Sequence, residues 1–292
     1  MQNNSQTLKY IKALKRRYHN LVEGKDALIT LINESEVAEQ VYNSNAIENS
    51  TLSLEDTEKI LLQIDLDRYI NERELFEAKN LARVVEYTNK QADQRQLTQE
   101  LILLLHKMLL SNIRDKIAGR FRVENEWVRV GNHIAANPLE IVGLIKTMLI
   151  DYHTDDDLNI VTRIARLHLT FEHIHPFVDG NGRIGRVINN YLLIRQGYVP
   201  INIKFIDRAQ YYQAFSEFDK NHSINTMERI VALALSASYH KRLAYLENKK
   251  IIKLSNYAKE NKLSHSNLLN KANRQTIEAF QEKGVWKIGV QA

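Results

Sequence analysis

Ten glycines and three prolines are spread through 292 residues, and a chain so rarely interrupted must settle most of its backbone into long regular elements. Three of those glycines and one proline fall together in a single stretch, His173 to Arg186, HIHPFVDGNGRIGR. The pattern around it is helical. Ile160, Ile164, Leu167, Phe171 and Ile174 recur at steps of four and three, which lines one helix face. Val187, Tyr191 and Ile194 do the same after the glycines, and Gly197 serves as a stop. ANPLE reads as a helix start, with Asn137 as N-cap, Pro138 first and Glu140 third, and SLED at Ser53 to Asp56 reads similarly. The expected fold class is therefore mainly all-α.

One segment alternates instead. In VENEWVRVGNH, residues Trp127, Val128 and Val130 with Gly131 predict a short β-hairpin, packed on the helices or serving as a mobile flap. A composition change at LENKKIIKLSN places a boundary near residue 248. Beyond it the chain reads helix, turn, helix, short helix and a strand at VWKIGV, a small winged-helix-like or helix-turn-helix-like pattern.

With no cysteine, disulfide frameworks, thiol nucleophiles and Cys-ligated metals are excluded. The opening MQNNSQTLKY lacks the apolar run of a signal peptide, and LILLLHKMLL is broken by His106 and Lys107 and is too short to span a bilayer. The expectation is a soluble, cytoplasmic protein with no membrane partner. The net charge of +5 is uneven: residues 250–292 hold eight Lys or Arg against three Glu, while the rest balances at 32 against 32. A basic terminal segment suits nucleic acid or an acidic partner, and equally a solvated helical face.

The chemistry concentrates in HPFVDGNGRIGR. Pro176 biases His175 away from helical dihedrals, so a helix should end there and leave His175 at a helix-to-loop junction. Gly180 and Gly182 permit unusual backbone angles and close approach of a ligand. A second helix should begin near Gly182, and its free N–H groups form an anion site. Arg183 and Arg186 share a face at that helix start, where cations are misplaced unless an anion lies between them. Polyphosphate is the natural anion, gripped by the two guanidinium groups. Asp179 would repel it unless a cation such as Mg²⁺ bridges them. His175 is then placed to act as general base on an attacking hydroxyl. Taken singly, each residue has a plainer reading as turn, cap or solvated charge; together they serve one phosphate chemistry. His168 and His173 read as core or supporting residues.

These residues resemble the signature of Fic-domain proteins, His-Pro-Phe-x-Asp/Glu-Gly-Asn-Gly-Arg-x-x-Arg, with all defining positions present. The resemblance runs from Ala118 to Leu246, through GRFR…VRVGNHIAANP and LLIRQGYVPI to YYQAF. It implies a Fic-type helical core with a β-hairpin flap, and transfer of AMP from ATP to a Ser, Thr or Tyr hydroxyl of a target protein. It further implies His175 as the base and Asp179 as the Mg²⁺ ligand. Backbone groups of Gly180, Asn181 and Gly182 would cradle the phosphates, with Arg183 on the β-phosphate and Arg186 on the γ-phosphate. The flap, Val128, Arg129, Val130 and Gly131, would align the target peptide by strand pairing. Tyr211 and Tyr212 would lie near the base or ribose, although the residues alone read as core-capping aromatics. Many relatives carry Asn followed by Gly-Asp where this chain has Asp219 in FDKNHS, which bears on the nucleobase contacts and on the choice of ATP.

Upstream, SNAIEN places Ser44 and Glu48 four apart on one helix, followed by Asn49. By itself this is a surface Glu; beside a Fic core it resembles the Fic inhibitory motif, Ser/Thr-x-x-x-Glu-Gly/Asn. The implied mechanism is that Glu48 neutralises Arg186, or alternatively positions water for removing AMP. The expected organisation is an N-terminal helical region carrying the motif over 1–105, a Fic core over 106–248 and the small terminal domain over 249–292. Two rivals stand beside adenylylation: a Fic enzyme moving another phosphate-containing group, and a DNA-binding regulator using Lys259, Lys262, Lys271 and Arg274. Expected partners are a target protein with an acceptor hydroxyl, the protein itself, DNA through residues 250–292, and a second copy in a homo-oligomer.

Overall fold

The computed structural model describes residues 4–66, 68–131, 133–155 and 158–291. In chain order the helices are α1 (Asn4–Val22), α2 (Asp26–Ile47), α3 (Leu54–Leu61), α4 (Glu72–Gln91) and α5 (Gln99–Leu110), followed by the hairpin β1 (Arg129–Val130) and β2 (His133–Ile134). Then come α6 (Ile141–Thr154), α7 (Ile160–Ile174), α8 (Asn181–Arg195), α9 (Arg208–Asn221) and α10 (Asn225–Leu246). The chain ends with β3 (Lys250–Lys253), α11 (Leu254–Glu260), α12 (His265–Asn273), β4 (Ala279–Glu282) and β5 (Val285–Val290). No described helix is long and apolar enough to cross a membrane.

The chain divides into two compact units, one of Met1–Glu36, Val199–Asn202 and Ile230–Ala292, the other of Val37–Tyr198 and Ile203–Arg229. The second holds every residue of the expected site. At its centre α7 packs on α6 and α8, and α4 packs on α5 and α8. The periodic face of α7 (Ile160, Ile164, Leu167, Phe171, Ile174) is buried, as are Val187 and Tyr191 of α8. The expected helix starts appear with their caps. Asn137 accepts from the Leu139 amide and opens a short 3₁₀ turn, Pro138–Glu140, before α6. Ser53 and Asp56 form a reciprocal capping box at α3. The hairpin is present too, with Arg129 opposite Ile134 and Val130 opposite His133.

The units do not follow the boundaries expected at 105 and 248. Helices α3 to α5 belong with the core because α4 packs directly on α8, and the division falls inside α2 and α10. In the other unit, buried charges are paired. Arg242 donates to Glu36 at 2.7 Å and to Asn33 at 2.9 Å, and Lys241 lies 3.3 Å from Glu36 and 3.2 Å from Glu282. Residues 249–292 form a three-stranded antiparallel sheet in the order β3-β5-β4, with α11 and α12 on a core of Leu254, Ala258, Leu268, Ala272, Ala279 and Ile288. The expected order lacked β3 and β4 and had a third short helix; among the described residues RQTIEAF instead leads into β4. Strands of four residues are too short to show a period, and KIIK gains its strand character only by pairing with β5.

Candidate functional site

Helix α7 stops at Ile174, and His175 caps it in the left-handed region with φ 51° and ψ 62°. A non-glycine residue seldom holds that conformation, and it persists here because its neighbours are pinned. Arg122, only 2% exposed, does the pinning. Its guanidinium donates to the carbonyls of His175, Glu126 and Ala136, each at 2.8 Å, and of Ile174 at 3.3 Å. Its amide donates to the Pro176 carbonyl at 2.9 Å. One buried side chain thus joins the hairpin base to the end of α7.

The loop is held from the other side by His106. Its Nδ1 accepts from the Gly119 amide at 3.0 Å, which leaves Nε2–H to donate to the Asp179 carbonyl at 3.0 Å. Its ring stacks on Phe177 at 3.7 Å. Burial holds the His106 pKa down at about 4, so the ring stays neutral and keeps that tautomer. Asn181, expected to cradle phosphate, turns its side chain back on the loop: it accepts from the Phe177 amide at 2.9 Å and donates to the Phe177 carbonyl at 2.8 Å. Gly180, at φ 83°, caps α8, whose first amides remain available to an anion.

The two arginines are held by different carboxylates. Arg183, with its side chain 4% exposed, meets Glu77 at 3.2 Å and Asp179 at 3.1 Å. Arg186 donates to Glu48 Oε1 at 2.9 Å, to Ser44 Oγ at 3.0 Å, to the Ser44 carbonyl at 2.8 Å and to the Tyr211 hydroxyl at 3.0 Å. Carboxylates therefore stand where phosphate oxygens were expected. Glu48 also presses on the backbone: a Cβ placed on Gly182 would lie 2.1 Å from Glu48 Oε1, so only glycine admits this contact. Asn49 does not join the group; at φ 70° it ends the motif and accepts from Arg208 at 2.7 Å.

Two recesses meet at Glu48. One is lined by Val130, His133, Glu172, His175, Gly182, Tyr211, Tyr212 and Asp219, among others. Its cavity volume of about 130 Å³ is well below the roughly 300–1,000 Å³ typical of ligand pockets. The other recess is lined by Asn45, Arg73, Glu77, Asp179, Gly180 and Arg183 together with Glu48. Asn45 is 3% exposed, and neither polar atom of its side chain has a partner; Arg183 Nε is likewise unpartnered. Buried donors left open beside a carboxylate suit a phosphate with its counter-cation. Asp179 now bonds Arg183 and Arg73 at 3.1 Å and lies 3.5 Å from Arg114. Asp179 and Glu77 offer the hard oxygen ligands that Mg²⁺ takes, so the residues fit that ion.

The remaining expected residues separate. Tyr212 is 39% exposed and faces the cleft, its hydroxyl donating to the Ile47 carbonyl at 3.2 Å. Tyr211 is 1% exposed and lies under Arg186, sharing the inner face of α9 with Ala214. Its hydroxyl accepts from Arg186 and donates to His168 Nε2 at 2.7 Å. Asp219 is paired with His173 Nδ1 at 2.8 Å. Of the flap, Val130 alone lines the cleft; the Val128 carbonyl accepts from Ala135, Arg129 folds onto the Gly131 carbonyl, and Gly131 makes the turn at φ 59°.

Burial also sets the proton chemistry. It pushes the His175 pKa down to about 4, with Arg122 and His133 adding to the effect. The ring is neutral at pH 7 and able to accept a proton. Its Nδ1 is buried without a partner, which leaves Nε2 as the nitrogen open to the cleft. Glu172 lies one helical turn earlier, with Oε2 3.8 Å from His175 Nδ1. Burial raises its pKa to about 8, and the nearby Glu48 charge adds to this, so Glu172 is a neutral acid at pH 7.

A helical domain with a histidine at a glycine-rich loop, open amides at a helix start and a carboxylate on its second arginine is an arrangement with known counterparts. Residues 96–193 match the model of the Fic/DOC family. The chain is 30% identical over 247 residues to a protein adenylyltransferase Fic of Drosophila grimshawi, covering 79% of this chain and 50% of that protein. A Fic domain containing signaling protein from Bacteroides thetaiotaomicron superposes with a TM-score of 0.73 at 25% identity, covering 82% of this chain and 97% of that one. A Fic family protein from Desulfovibrio desulfuricans shares the fold over 97% of this chain at 17% identity, with a TM-score of 0.64. The chain carries a Fic domain, homologous to the Fic protein adenylyltransferases. It spans about half the length of the curated relatives it matches.

Proposed function

We propose that this protein transfers AMP from ATP to a hydroxyl of a target protein and that Glu48 holds the reaction off. The observation that carries this reading is the position of Glu48: bound to Arg186 at 2.9 Å and set between the His175 cleft and the phosphate recess. With Glu48 withdrawn, the two recesses join, Arg186 is released, and a polyphosphate can run along the start of α8. His175 takes the proton of the acceptor hydroxyl as that oxygen bonds to the α-phosphorus. The bond from phosphorus to the bridging oxygen breaks, and pyrophosphate leaves against Arg183 and Arg186. Mg²⁺ held by Asp179 would supply charge neutralisation across the phosphates. Arg73 and Arg114 lie at the same carboxylate, and with Asp179 committed to Mg²⁺ they would be free to meet phosphate oxygens.

Similarity to protein adenylyltransferases supports transfer of AMP over its rivals. Glu48→Gly protein should acquire label from ATP carrying it at the α-phosphate and none from ATP carrying it at the γ-phosphate. Incorporation of γ-label would replace the reading with phosphoryl transfer.

A further inference from the structure

Apart from the His175–Arg186 loop, the described residues contain a cluster whose donors suit a different ion. His133 of β2, His173 in the last turn of α7 and Asp219 of α9 each offer a ligand atom, and these atoms lie within 4.8 Å of one another. The imidazoles are stacked with centroids 4.0 Å apart and planes at 26°. His133 Nε2 donates to the His173 carbonyl at 2.9 Å, which fixes the proton on Nε2 and leaves Nδ1 free. Metal-bound histidines are oriented in this way, with the second nitrogen donating to a carbonyl or carboxylate. The Asp219 carboxylate, 2.8 Å from His173 Nδ1, completes a set of two nitrogens and an oxygen. Such a set favours zinc-like ions over the oxygen-seeking Mg²⁺.

We propose that His133, His173 and Asp219 form a binding site for a divalent transition metal of the zinc class, and that an ion there ties the flap to α7 and α9. Tetrahedral ligands at bonds of about 2.0–2.2 Å lie roughly 3.4 Å apart, so the 4.8 Å spread closes with about an ångström of movement. The partly exposed position leaves room for water as a fourth ligand. Because His133 pairs with Val130 across the hairpin, fixing it also fixes the flap residue that lines the cleft. The inference rests on donor geometry alone and stands whether or not the chain transfers AMP.

The test uses full-length protein without an affinity tag. ZnCl₂ is titrated in a calorimeter, and CoCl₂ is titrated separately while the visible absorption of the bound ion is followed. Wild type should show a saturable site at one ion per chain, with a cobalt spectrum of histidine ligation. His133→Ala should weaken it by at least about tenfold. Asp219→Asn, which keeps the side-chain shape, should weaken it while circular dichroism stays that of the wild type. Absence of a saturable site in wild type, or wild-type binding by both variants, would overturn the proposal.

Discussion

At the residue scale the site is built from groups whose protonation is set by burial, and this has measurable signs. The His175 pKa is depressed to about 4, so its neutral, proton-accepting form persists well below the ordinary histidine range. The kcat/KM of Glu48→Gly protein, which reports the free enzyme, should hold level from pH 8 to about 5 and fall below that. An acid limb centred near pH 6.5 would contradict the buried setting. Glu172 works the other way. Its folded pKa, about 8, lies above its unfolded value, so the folded state holds a proton that the unfolded chain has lost. Stability from this group is complete at low pH and is lost as pH rises from about 4.5 through 8. Glu172→Gln should therefore gain stability over wild type, with the gain growing with pH and reaching about 1 kcal/mol or more at pH 8. A pH-independent difference in denaturant melts would refute the assignment. Much of this layer was legible in the sequence where it was contiguous: His175, Asp179, Arg183 and Arg186 declare themselves within twelve residues. His106, Arg122 and Glu77 did not, because they reach the loop from far along the chain with no spacing to mark them. Nothing in FEHIHPF distinguishes a buried Glu172 from an ordinary helical one.

At the scale of elements, the hairpin shows how a weak local signal acquires a function. Two strands of two residues have no stability of their own. They stay in place because Arg122 spends its donors on the hairpin base and on the end of α7 at once. Arg122→Met removes those donors while keeping much of the volume; the part-buried carbonyls of Glu126, Ala136 and His175 lose their side-chain donor, and the Ile174 carbonyl keeps the Ala136 amide. The substitution should cost about 2–4 kcal/mol, a fall in Tm on the order of 5–15 °C, and should slow transfer by releasing His175. A Tm within about 2 °C of wild type would show that the staple carries little. The hairpin itself was readable from alternation at Trp127, Val128 and Val130. The staple was not, since nothing in GRFR distinguishes the buried Arg122 from its neighbour Arg120.

At the scale of the whole molecule, the division falls within α2 and α10, and the unit that contains Ile230–Ala292 buries charge in its interior. Arg242 is fully buried and depends on Glu36, whose pKa is lowered by Arg242 and Lys241 against the opposing effect of its own burial. Glu36→Gln should therefore cost about 3–5 kcal/mol, an effect seen in chemical denaturation. Retention of wild-type stability would mean that Asn33 and the Ser238 hydroxyl, which accepts from Arg242 at 2.7 Å, suffice for Arg242. The terminal segment has three strands where one was expected, because β3 is defined by pairing with residues of β5 nearly forty positions away. What joins these scales is Glu48. It lies 138 residues from Arg186 in sequence, yet it closes both recesses of the site. The direct measurement is the rate of AMP incorporation by wild type, Glu48→Gly and the Glu48→Gly/His175→Ala double variant under identical ATP and Mg²⁺. Release of the carboxylate should raise the rate on the order of a hundredfold, and loss of His175 should abolish it. A Glu48→Gly protein that is folded and no faster than wild type would contradict the brake.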